Sequence, residues 1–330
     1  NERVPTYTEF EIGEFARVFT GLQGYWPSQV MRMDWWGHDF DEKFLLDYDN
    51  AVPAMGYLPA RPSNELNARA DISNALDNIF YHPSTPAFIA NLLIQRFTSS
   101  NPTPAYVERV ADAFAGEGPF GSGVRGDMLA TLKAILLDDE ARNPAYRTNP
   151  FYGKVMEPIV IQHGIHRVLG ARDRPNAPVQ NQIAFGWIGN TYSEFGQAWF
   201  STPSVFYFYQ PDFAPLNTRI ASGGHAAPEL QIVDDNTAIT ATRAWSEVVR
   251  TEKLPATVVA DLTALSGDPS ALVNAVDLML AYGSTEPAVL QIIIDAVTDV
   301  TNSSPTEQAD RRVRMAIGLI VLNPGFRHLR

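Results

Sequence analysis

The segment from residue 82 to residue 142 constrains the fold most, because it repeats a pattern of helix start, apolar face and helix stop. Ser84 precedes Pro86, and a serine cap with a proline in the first turn is a strong helix start. Apolar residues then recur at spacings of three and four, which is the period of one helix face. Pro102 ends the pattern, since a proline disfavours helical geometry in the residue before it. The sequence therefore predicts a helix over residues 86–98.

Two more helices are predicted in the same segment. Thr103 and Pro104 begin one over residues 104–115 by the same combination of cap and proline. A glycine-rich break separates it from another over residues 127–139, for which Asp127 is the expected cap. Charged residues lie between the apolar positions, as expected for amphipathic helices. We therefore expect three consecutive helices that pack on a common core.

Similar signals occur along most of the chain, so the predicted fold class is all-α, mostly helical, with orthogonal or bundle-like packing. Further helices are predicted over residues 8–22, 71–81, 152–170, 228–250, 256–265, 269–282, 286–300 and 305–322, with a short one near 179–188. Long loops are predicted over 23–63 and 171–228. Alternation near Val30–Trp36 and Phe44–Tyr48 predicts one short two-stranded β-hairpin within the first loop.

Composition limits what kind of protein this is. The chain has 330 residues, 45% of them hydrophobic, which is enough for one large core or two smaller ones. We expect a helical region with loop insertions over residues 1–253 and a carboxy-terminal helical segment over 254–330 packed on the same body. The formal net charge of −12 argues against nucleic acid and anionic membrane surfaces as partners. No stretch of about 18 apolar residues lacks a charge or helix breaker, so no membrane span is expected.

Several short motifs follow one another over nearly the whole chain. In order, they are PTYTEFEIGEFARVFTGL at 5–22, His38-Asp39 with Lys43, HPSTPAFIANLLIQRF at 82–97, RGDMLATLKAILLDDEAR at 125–142, Lys154 with Glu157-Pro158, PSVFYFYQPDFAP at 203–215, APELQ at 227–231 and RVRMAIGLIVLNPGF at 312–326. In this order they resemble a large bacterial family known as domain of unknown function number eighteen hundred. The resemblance implies a family but supplies no reaction.

The resemblance also implies a location and a partner. Members are typically exported, so we expect an extracytoplasmic protein, either periplasmic or secreted. They usually carry a helical region ahead of the segment that begins here at Pro5, so this chain is expected to be the carboxy-terminal part. An apolar surface should then remain around Phe10 and Phe15, where the missing region packed. The expected protein partner is that amino-terminal region or a separate secreted protein.

The first aromatic loop contains the densest cluster of functional residue types, in the order Trp35, Trp36, His38, Asp39 and Lys43. A histidine beside a carboxylate can act as a general base, and the aromatic and cationic neighbours can bind a ligand. Loops on a helical scaffold commonly carry such sites. The alternative interpretation is structural: Asp39 and Lys43 close the hairpin by hydrogen bonds while the tryptophans pack below.

Two glutamates adjacent to prolines, Glu157 and Glu229, form the second candidate site. Together with the histidine and aspartate of the first loop, they would supply the acid and base of a hydrolase-like cleft, as in glycosidases. The structural alternative has two parts. Each glutamate can lie in the first turn of a helix, where the helix dipole favours it. Alternatively, Glu157 lies within an apolar helix and pairs with Lys154 or with an arginine such as Arg96.

A third candidate is the aromatic run that includes Tyr207 and Tyr209 and is followed by Asp212. An exposed aromatic platform can stack on sugars, so a polysaccharide is a candidate partner. The alternative is that the run wedges its loop onto the core.

The sequence indicates neither a cofactor nor a metal. His163 and His166 share one helix face, but no third ligand accompanies them and the HExxH motif is absent. The motifs of serine hydrolases, P-loop proteins and dinucleotide-binding proteins are also absent. The lack of cysteine excludes a thiolate nucleophile.

Two functional hypotheses from different classes remain. The first is a non-catalytic binding or scaffold protein that acts with a surface polymer or a secreted partner. The second is a hydrolase-like enzyme that uses the histidine and the three carboxylates named above. We expect residues 34–43 to lie against the loops at 203–215 and 224–231, because long loops without secondary structure are usually functional or disordered. Packed together, these loops would form one concave wall.

Overall fold

A computed structural model of the chain describes residues 5–25, 30–149, 152–170, 196–197, 202–204, 207–233, 237, 239–240 and 254–329. Within these residues the fold is mostly helical, with only short antiparallel strand pairs, as predicted. The helices are α1 (Glu9–Val18), α2 (Glu65–Tyr81), α3 (Thr85–Phe97), α4 (Pro104–Ala115), α5 (Met128–Leu137), α6 (Asp139–Arg142), α7 (Pro158–Leu169), α8 (Arg219–Ser222), α9 (Ala256–Ala264), α10 (Pro269–Ala281), α11 (Pro287–Thr298) and α12 (Pro305–Leu322). None of the described helices is both long enough and apolar enough to cross a membrane.

Six short strands form three antiparallel pairs in the described residues. They are β1 (Leu22–Tyr25) with β2 (Val30–Met33), β3 (Lys43–Phe44) with β4 (Tyr57–Leu58), and β5 (Lys154–Val155) with β6 (His328–Leu329). The single hairpin predicted between residues 30–36 and 44–48 is therefore wrong, because each segment pairs with a different strand. Alternation in a sequence shows where a strand lies, but it does not identify the partner strand.

Caps and prolines place most helix starts correctly. Thr8 and Glu11 form the capping box of α1, and Ser304 caps α12 ahead of Pro305. α2 begins earlier than predicted, at Glu65, because the Asn64 side chain accepts a hydrogen bond from the backbone N–H of Asn67. Strong capping chemistry therefore predicts a boundary better than the apolar pattern does.

Two predicted helices are wrong in part. The helix expected over 152–170 begins as strand β5, and α7 starts only at Pro158. The described start of the helix expected over 228–250 is a short 3-10 turn, Pro228–Gln231. Residues 241–250 and the helix predicted near 179–188 lie outside the described residues.

The chain divides into two compact units. Unit 1 comprises Asn1–Asn91 and Glu108–Thr131, and unit 2 comprises Leu92–Val107 and Leu132–Arg330. The domain boundary predicted at residue 253 stays a prediction.

Unit 1 has a small core to which α1 and α2 both contribute. Its buried residues are Val18, Leu45, Leu58 and Ala75, with Phe15 and Ile72 packed against them. Asn78 of α2 fixes the adjoining loop, because its side chain donates to the Leu46 carbonyl and accepts from the Leu46 N–H. The buried face of α2 is therefore partly polar and can form hydrogen bonds with charged side chains.

Unit 2 has a larger apolar core. Ile161, Ile165 and Leu169 of α7 belong to the same buried cluster as residues of α9 to α12. α10 and α12 contribute the most fully buried members, including Leu272, Val276, Ile317 and Ile320. This core fixes the start of α7, which positions one of the candidate site residues.

Candidate functional site

In unit 1, His38 and Lys43 are buried around Asp71 of α2. Nε2 of His38 lies 3.4 Å from Oδ2 of Asp71, and its Nδ1 lies 3.0 Å from the Thr20 carbonyl oxygen. Nζ of Lys43 donates to the same Asp71 oxygen at 3.1 Å and to the Asp41 carbonyl at 2.9 Å. The side chains of His38 and Lys43 are fully buried. They therefore present no surface to a ligand.

Arg61 completes this group, with its Nε 3.3 Å from Oδ1 of Asp71. We call the four residues His38, Lys43, Arg61 and Asp71 the Asp71 cluster. A buried carboxylate surrounded by basic side chains has the arrangement of a structural ion network. The network ties the first aromatic loop to α2.

Asp39 is held by Arg17 of α1 through two hydrogen bonds of 2.7 Å and 3.3 Å. Arg17 also donates to Glu14, at 2.8 Å. The hydrogen bond from the Arg17 guanidinium lowers the pKa of Asp39, and a bond from the Asp41 backbone N–H adds to this effect. The structural interpretation named the wrong partners. Asp39 bonds to α1 and Lys43 bonds to α2, and the two residues do not close a hairpin.

Trp36 is the exposed member of the same loop. Its exposed fraction is 80%, and its ring stacks on that of Trp35 with centroids 3.9 Å apart and planes 24° apart. Both lie on a short 3-10 turn, Trp35–Gly37. The expectation that both tryptophans pack below the loop is wrong for Trp36. One face of its ring is covered by Trp35, and the other is open to a ligand.

An open cleft of about 530 Å³ lies beside this loop in unit 1. Phe10, Phe44, Arg17 and Glu42 are among its lining residues. Phe10 is 57% exposed, whereas Phe15 packs against the core. Whether a further region of protein covers Phe10 stays a prediction.

In unit 2, the carboxylate of Glu157 is surrounded by neutral donors. It accepts hydrogen bonds from Tyr209 Oη at 2.7 Å, from Tyr207 Oη at 3.1 Å and from Gln197 Nε2 at 2.5 Å. The expected pairing of Glu157 with Lys154 or Arg96 is wrong: none of its hydrogen bonds in the described residues comes from a cation. Glu157 is the residue that precedes α7, not a residue within the helix.

Arg96 lies in the last turn of α3, over the rings of both tyrosines. Its Cζ is 4.6 Å from the Tyr207 ring centroid and 4.4 Å from that of Tyr209. We call Arg96, Glu157, Gln197, Tyr207 and Tyr209 the Glu157 cluster. Burial and the charge of Glu157 raise the pKa of Tyr207 to about 12. Burial raises that of Tyr209 further, so both phenols remain donors at neutral pH.

Tyr207 is held in an unusual backbone conformation, with φ at 80°. Only glycine adopts such values freely, so the surrounding contacts must hold Tyr207 in place. Its hydrogen bond to Glu157 and its ring contact with Arg96 are two of these contacts. The strain indicates that the position of this ring is closely specified.

Glu229 adjoins the Glu157 cluster and is 1% exposed. Its Oε1 forms an ion pair with Lys154 at 2.8 Å, whereas its Oε2 is buried and accepts no hydrogen bond from the described residues. Lys154 also donates to the carbonyls of Gln95 and Arg96, which caps the end of α3. Burial is the main cause of the raised pKa of Tyr209, and the charges of Glu157 and Glu229 add to it. The phenol donates its hydrogen bond to Glu157.

Two side chains near the end of α3 fix the loops that carry these residues. Gln95 donates to the Pro211 carbonyl at 3.1 Å, next to the exposed candidate Asp212. Asn101 exchanges two hydrogen bonds with the backbone of Ala226, at 2.7 Å and 2.9 Å. The loops of unit 2 are therefore held by the last turn of α3 and by the residues that follow it.

Among the described residues, no group of three or more metal-ligating side chains is arranged around one point. Nδ1 of His163 lies 2.7 Å from the Ile159 carbonyl oxygen, one helical turn earlier.

The chain matches the family model described as Protein of unknown function (DUF1800) over residues 3–328. It belongs to this family. No curated protein and no solved structure matches the chain. Membership of DUF1800 therefore supports the resemblance read from the sequence motifs, and it assigns no activity.

The two clusters of this DUF1800 protein contain candidate residues named from the sequence together with partners that the sequence did not reveal. That any of them forms a functional site stays a prediction. Asp71 carried a readable signal, since it falls on the buried stripe of α2 with Ala68, Ala75 and Asn78. Gln197 carried no such signal. Unit 1 contains His38 and Asp39, and unit 2 contains the loops at 203–215 and 224–231, so the shared wall between them stays a prediction.

Proposed function

We propose that this DUF1800 protein is a non-catalytic binding protein that contacts a surface polysaccharide through Trp36. The observation that carries the proposal is the 80% exposure of a tryptophan whose ring is already fixed by stacking on Trp35. An exposed aromatic residue is not unusual by itself, but the ring of Trp36 is fixed by its stack on Trp35, and a fixed ring loses little entropy on binding.

The chemistry of the stack suits a sugar. The open face of an indole ring is apolar and electron-rich, and it packs against the C–H face of a pyranose ring. Tryptophan is also enriched among the residues that dominate binding energy at interfaces. A polymer with repeated sugar rings is therefore the ligand class that we propose for Trp36.

The state of the predicted catalytic groups supports a binding role over a hydrolytic one. His38 and Asp39 are occupied by Asp71 and Arg17, and Glu157 accepts three hydrogen bonds. Glu229 is paired with Lys154. A general acid or base needs contact with the substrate, whereas these four side chains are bonded to other groups of the protein.

The test is co-sedimentation of the full chain with insoluble polysaccharides, using cellulose, chitin and peptidoglycan as probes. We expect at least one polymer to bind the protein, and Trp36→Ala to weaken binding about tenfold or more. Trp36→Phe should retain part of the affinity, because a smaller ring still stacks. Binding that is equal in the wild type and Trp36→Ala would contradict the proposal, as would no binding to any of these polymers.

Tyr282 supplies a matched control, because it is an aromatic residue with an exposed fraction of 84%. Tyr282→Ala should bind the same polymer as tightly as the wild type. Trp36→Ala should change the free energy of unfolding by no more than about 0.5 kcal/mol, since substitutions of exposed side chains rarely cost more. A large loss of stability would make the ring structural instead.

An extracytoplasmic location is part of this proposal, because the polymer named in it lies outside the cytoplasm. The location rests on the family resemblance. Fractionation of cells that produce the native protein would test it, with the protein expected in the periplasm or the medium. Recovery from the cytoplasm alone would contradict it.

A further inference from the structure

The open cleft of unit 1 has an aromatic wall to which α1 and β3 each contribute a ring. Phe10 and Phe44 line the cleft, and their ring centroids lie 6.3 Å apart. Both rings are exposed. Phe44 also contacts Tyr57 of β4, with ring centroids 5.4 Å apart. Three adjacent rings therefore form one aromatic surface, and two of them line the cleft.

The charged residues that line the same cleft are mostly acidic. Glu14, Asp41 and Glu42 carry three negative charges, against the single positive charge of Arg17. Arg17 is already bonded to Glu14 and, outside the lining, to Asp39. Its positive charge is thus compensated within the protein, and the cleft keeps a surplus of negative charge.

The carboxylate of Asp41 is available, although the backbone of this residue is fixed. The backbone N–H donates to Asp39 at 2.9 Å, and the carbonyl oxygen accepts from Lys43 Nζ at 2.9 Å. The exposed carboxylate itself makes no hydrogen bond or ion pair with the described residues. Glu42 is oriented as well, because its carboxylate accepts a hydrogen bond of 2.9 Å from the Tyr57 hydroxyl. One carboxylate of the cleft is therefore unpaired, and a second is tied to the aromatic surface.

These features favour one class of ligand. The electron-rich face of an aromatic ring attracts a cation, and a carboxylate accepts charge-assisted hydrogen bonds from an ammonium group. An apolar stem next to the ammonium group would bury its surface against the rings. The cleft volume of about 530 Å³ falls in the range of roughly 300–1,000 Å³ that is usual for small-molecule sites. An anion, in contrast, would meet the surplus of negative charge.

We propose that this cleft binds a small alkylammonium ion. The ammonium group donates hydrogen bonds to the Asp41 carboxylate, and Glu42 adds negative charge beside the rings. The alkyl stem packs on Phe10 and Phe44. The inference does not rest on the proposed polysaccharide contact, because Trp36 does not line the cleft. Either proposal can fail while the other holds.

The test is a ligand-observed NMR titration of the full chain with hexylammonium. Two molecules with the same stem serve as comparison probes: hexanol is neutral, and hexanoate is anionic. The charge variant combines Asp41→Asn with Glu42→Gln, and its matched control combines Asp47→Asn with Asp49→Asn. The control removes the same number of charges from exposed positions of unit 1 that do not line the cleft.

Phe10→Ala tests the aromatic wall, and Phe88→Ala is its control. Phe88 is an exposed phenylalanine of unit 1 that does not line the cleft. Circular dichroism establishes that each variant is folded. Should Phe10→Ala not fold, the charge variant and the three probes still decide the question.

We expect the wild type to bind hexylammonium about threefold or more tightly than hexanol, and to bind hexanoate most weakly. The charge variant should lose this preference, while its affinity for hexanol stays that of the wild type. Phe10→Ala should bind hexylammonium about threefold more weakly, because the contact with the ring is lost. Both control variants should match the wild type.

Three results would overturn the proposal. The first is no binding of hexylammonium to the wild type, as expected if a further region of protein covers the cleft. The second is binding of hexanol or hexanoate as tight as that of hexylammonium, which would show that the site does not recognise the positive charge. The third is wild-type affinity for hexylammonium in the charge variant or in a folded Phe10→Ala.

Discussion

The Asp71 cluster of unit 1 and the Glu157 cluster of unit 2 each contain a buried carboxylate, but the partners of the two carboxylates differ in charge. In unit 1 a buried carboxylate is surrounded by basic side chains, and two of these are fully buried with it. In unit 2 a buried carboxylate is surrounded by neutral donors, and the neighbouring arginine has no acceptor among the described residues. The difference teaches that burial alone does not determine how a carboxylate is stabilised. Basic side chains hold it in unit 1, and neutral donors hold it in unit 2.

Substitution of Asp71 is expected to have the largest effect on the free energy of unfolding. Asp71→Ala leaves His38 and Lys43 buried without their partner, so the free energy of unfolding should fall by about 3–5 kcal/mol. Glu65→Ala on the same helix is the control, because its pair with Arg69 is about half exposed and should cost under about 1 kcal/mol. Urea denaturation of the full chain measures both. Similar losses in the two variants would show that the Asp71 cluster is not a structural network.

Glu157→Gln should have an intermediate effect. The amide keeps the shape of the carboxylate, but its NH₂ group meets donors from Tyr207, Tyr209 and Gln197. The expected loss in the free energy of unfolding is about 2 kcal/mol, and Glu307→Gln at an exposed position of α12 should lose less than half of that. If Glu157→Gln is as stable as the wild type, the donors do not depend on the carboxylate and the cluster is less ordered than described.

Asp39→Asn is expected to have the smallest effect, which is a change in the free energy of unfolding at low pH. Its pKa in the folded protein is lowered by Arg17, so the stabilisation is complete above the unfolded value of about 3.9 and is lost as the pH falls through the lower folded value. Asp39→Asn removes this contribution. The wild type should therefore lose more stability than Asp39→Asn between pH 6 and pH 2.5, by less than about 1 kcal/mol because the pair is partly exposed.

The measurement for this prediction is thermal unfolding of both proteins at the two pH values. Asp41→Asn, two residues further along the same loop, is the control and should follow the wild type. An identical decrease for the wild type and Asp39→Asn would contradict the assigned role of the ion pair.

Much of the fold was predictable because its signals are local. Thr8 with Glu11, and the prolines at 104, 269, 287 and 305, mark helix starts through chemistry within one turn. The strand partners of Val30–Met33 and Lys43–Phe44 were not predictable, because pairing depends on the path of the chain between them.

The candidate site was predictable in its members but not in its contacts. Glu157, Tyr207 and Tyr209 were named from the sequence and are joined by hydrogen bonds, whereas Glu229 pairs with Lys154. The pairing was wrong, since Lys154 is three residues from Glu157 yet pairs with Glu229, far along the chain. A strand at Lys154–Val155 and a proline at the start of α7 direct the two side chains differently.

Arg17 and Arg96 differ in whether the guanidinium group is paired. Arg17 donates to both Asp39 and Glu14, whereas Arg96 has only ring contacts among the described residues. Phenylglyoxal, which modifies available guanidinium groups, followed by peptide mass mapping, compares them within one molecule. We expect Arg96 to react faster than Arg17, because no described side chain pairs with its guanidinium. Faster reaction at Arg17, or equal rates at the two residues, would contradict the assigned difference in pairing.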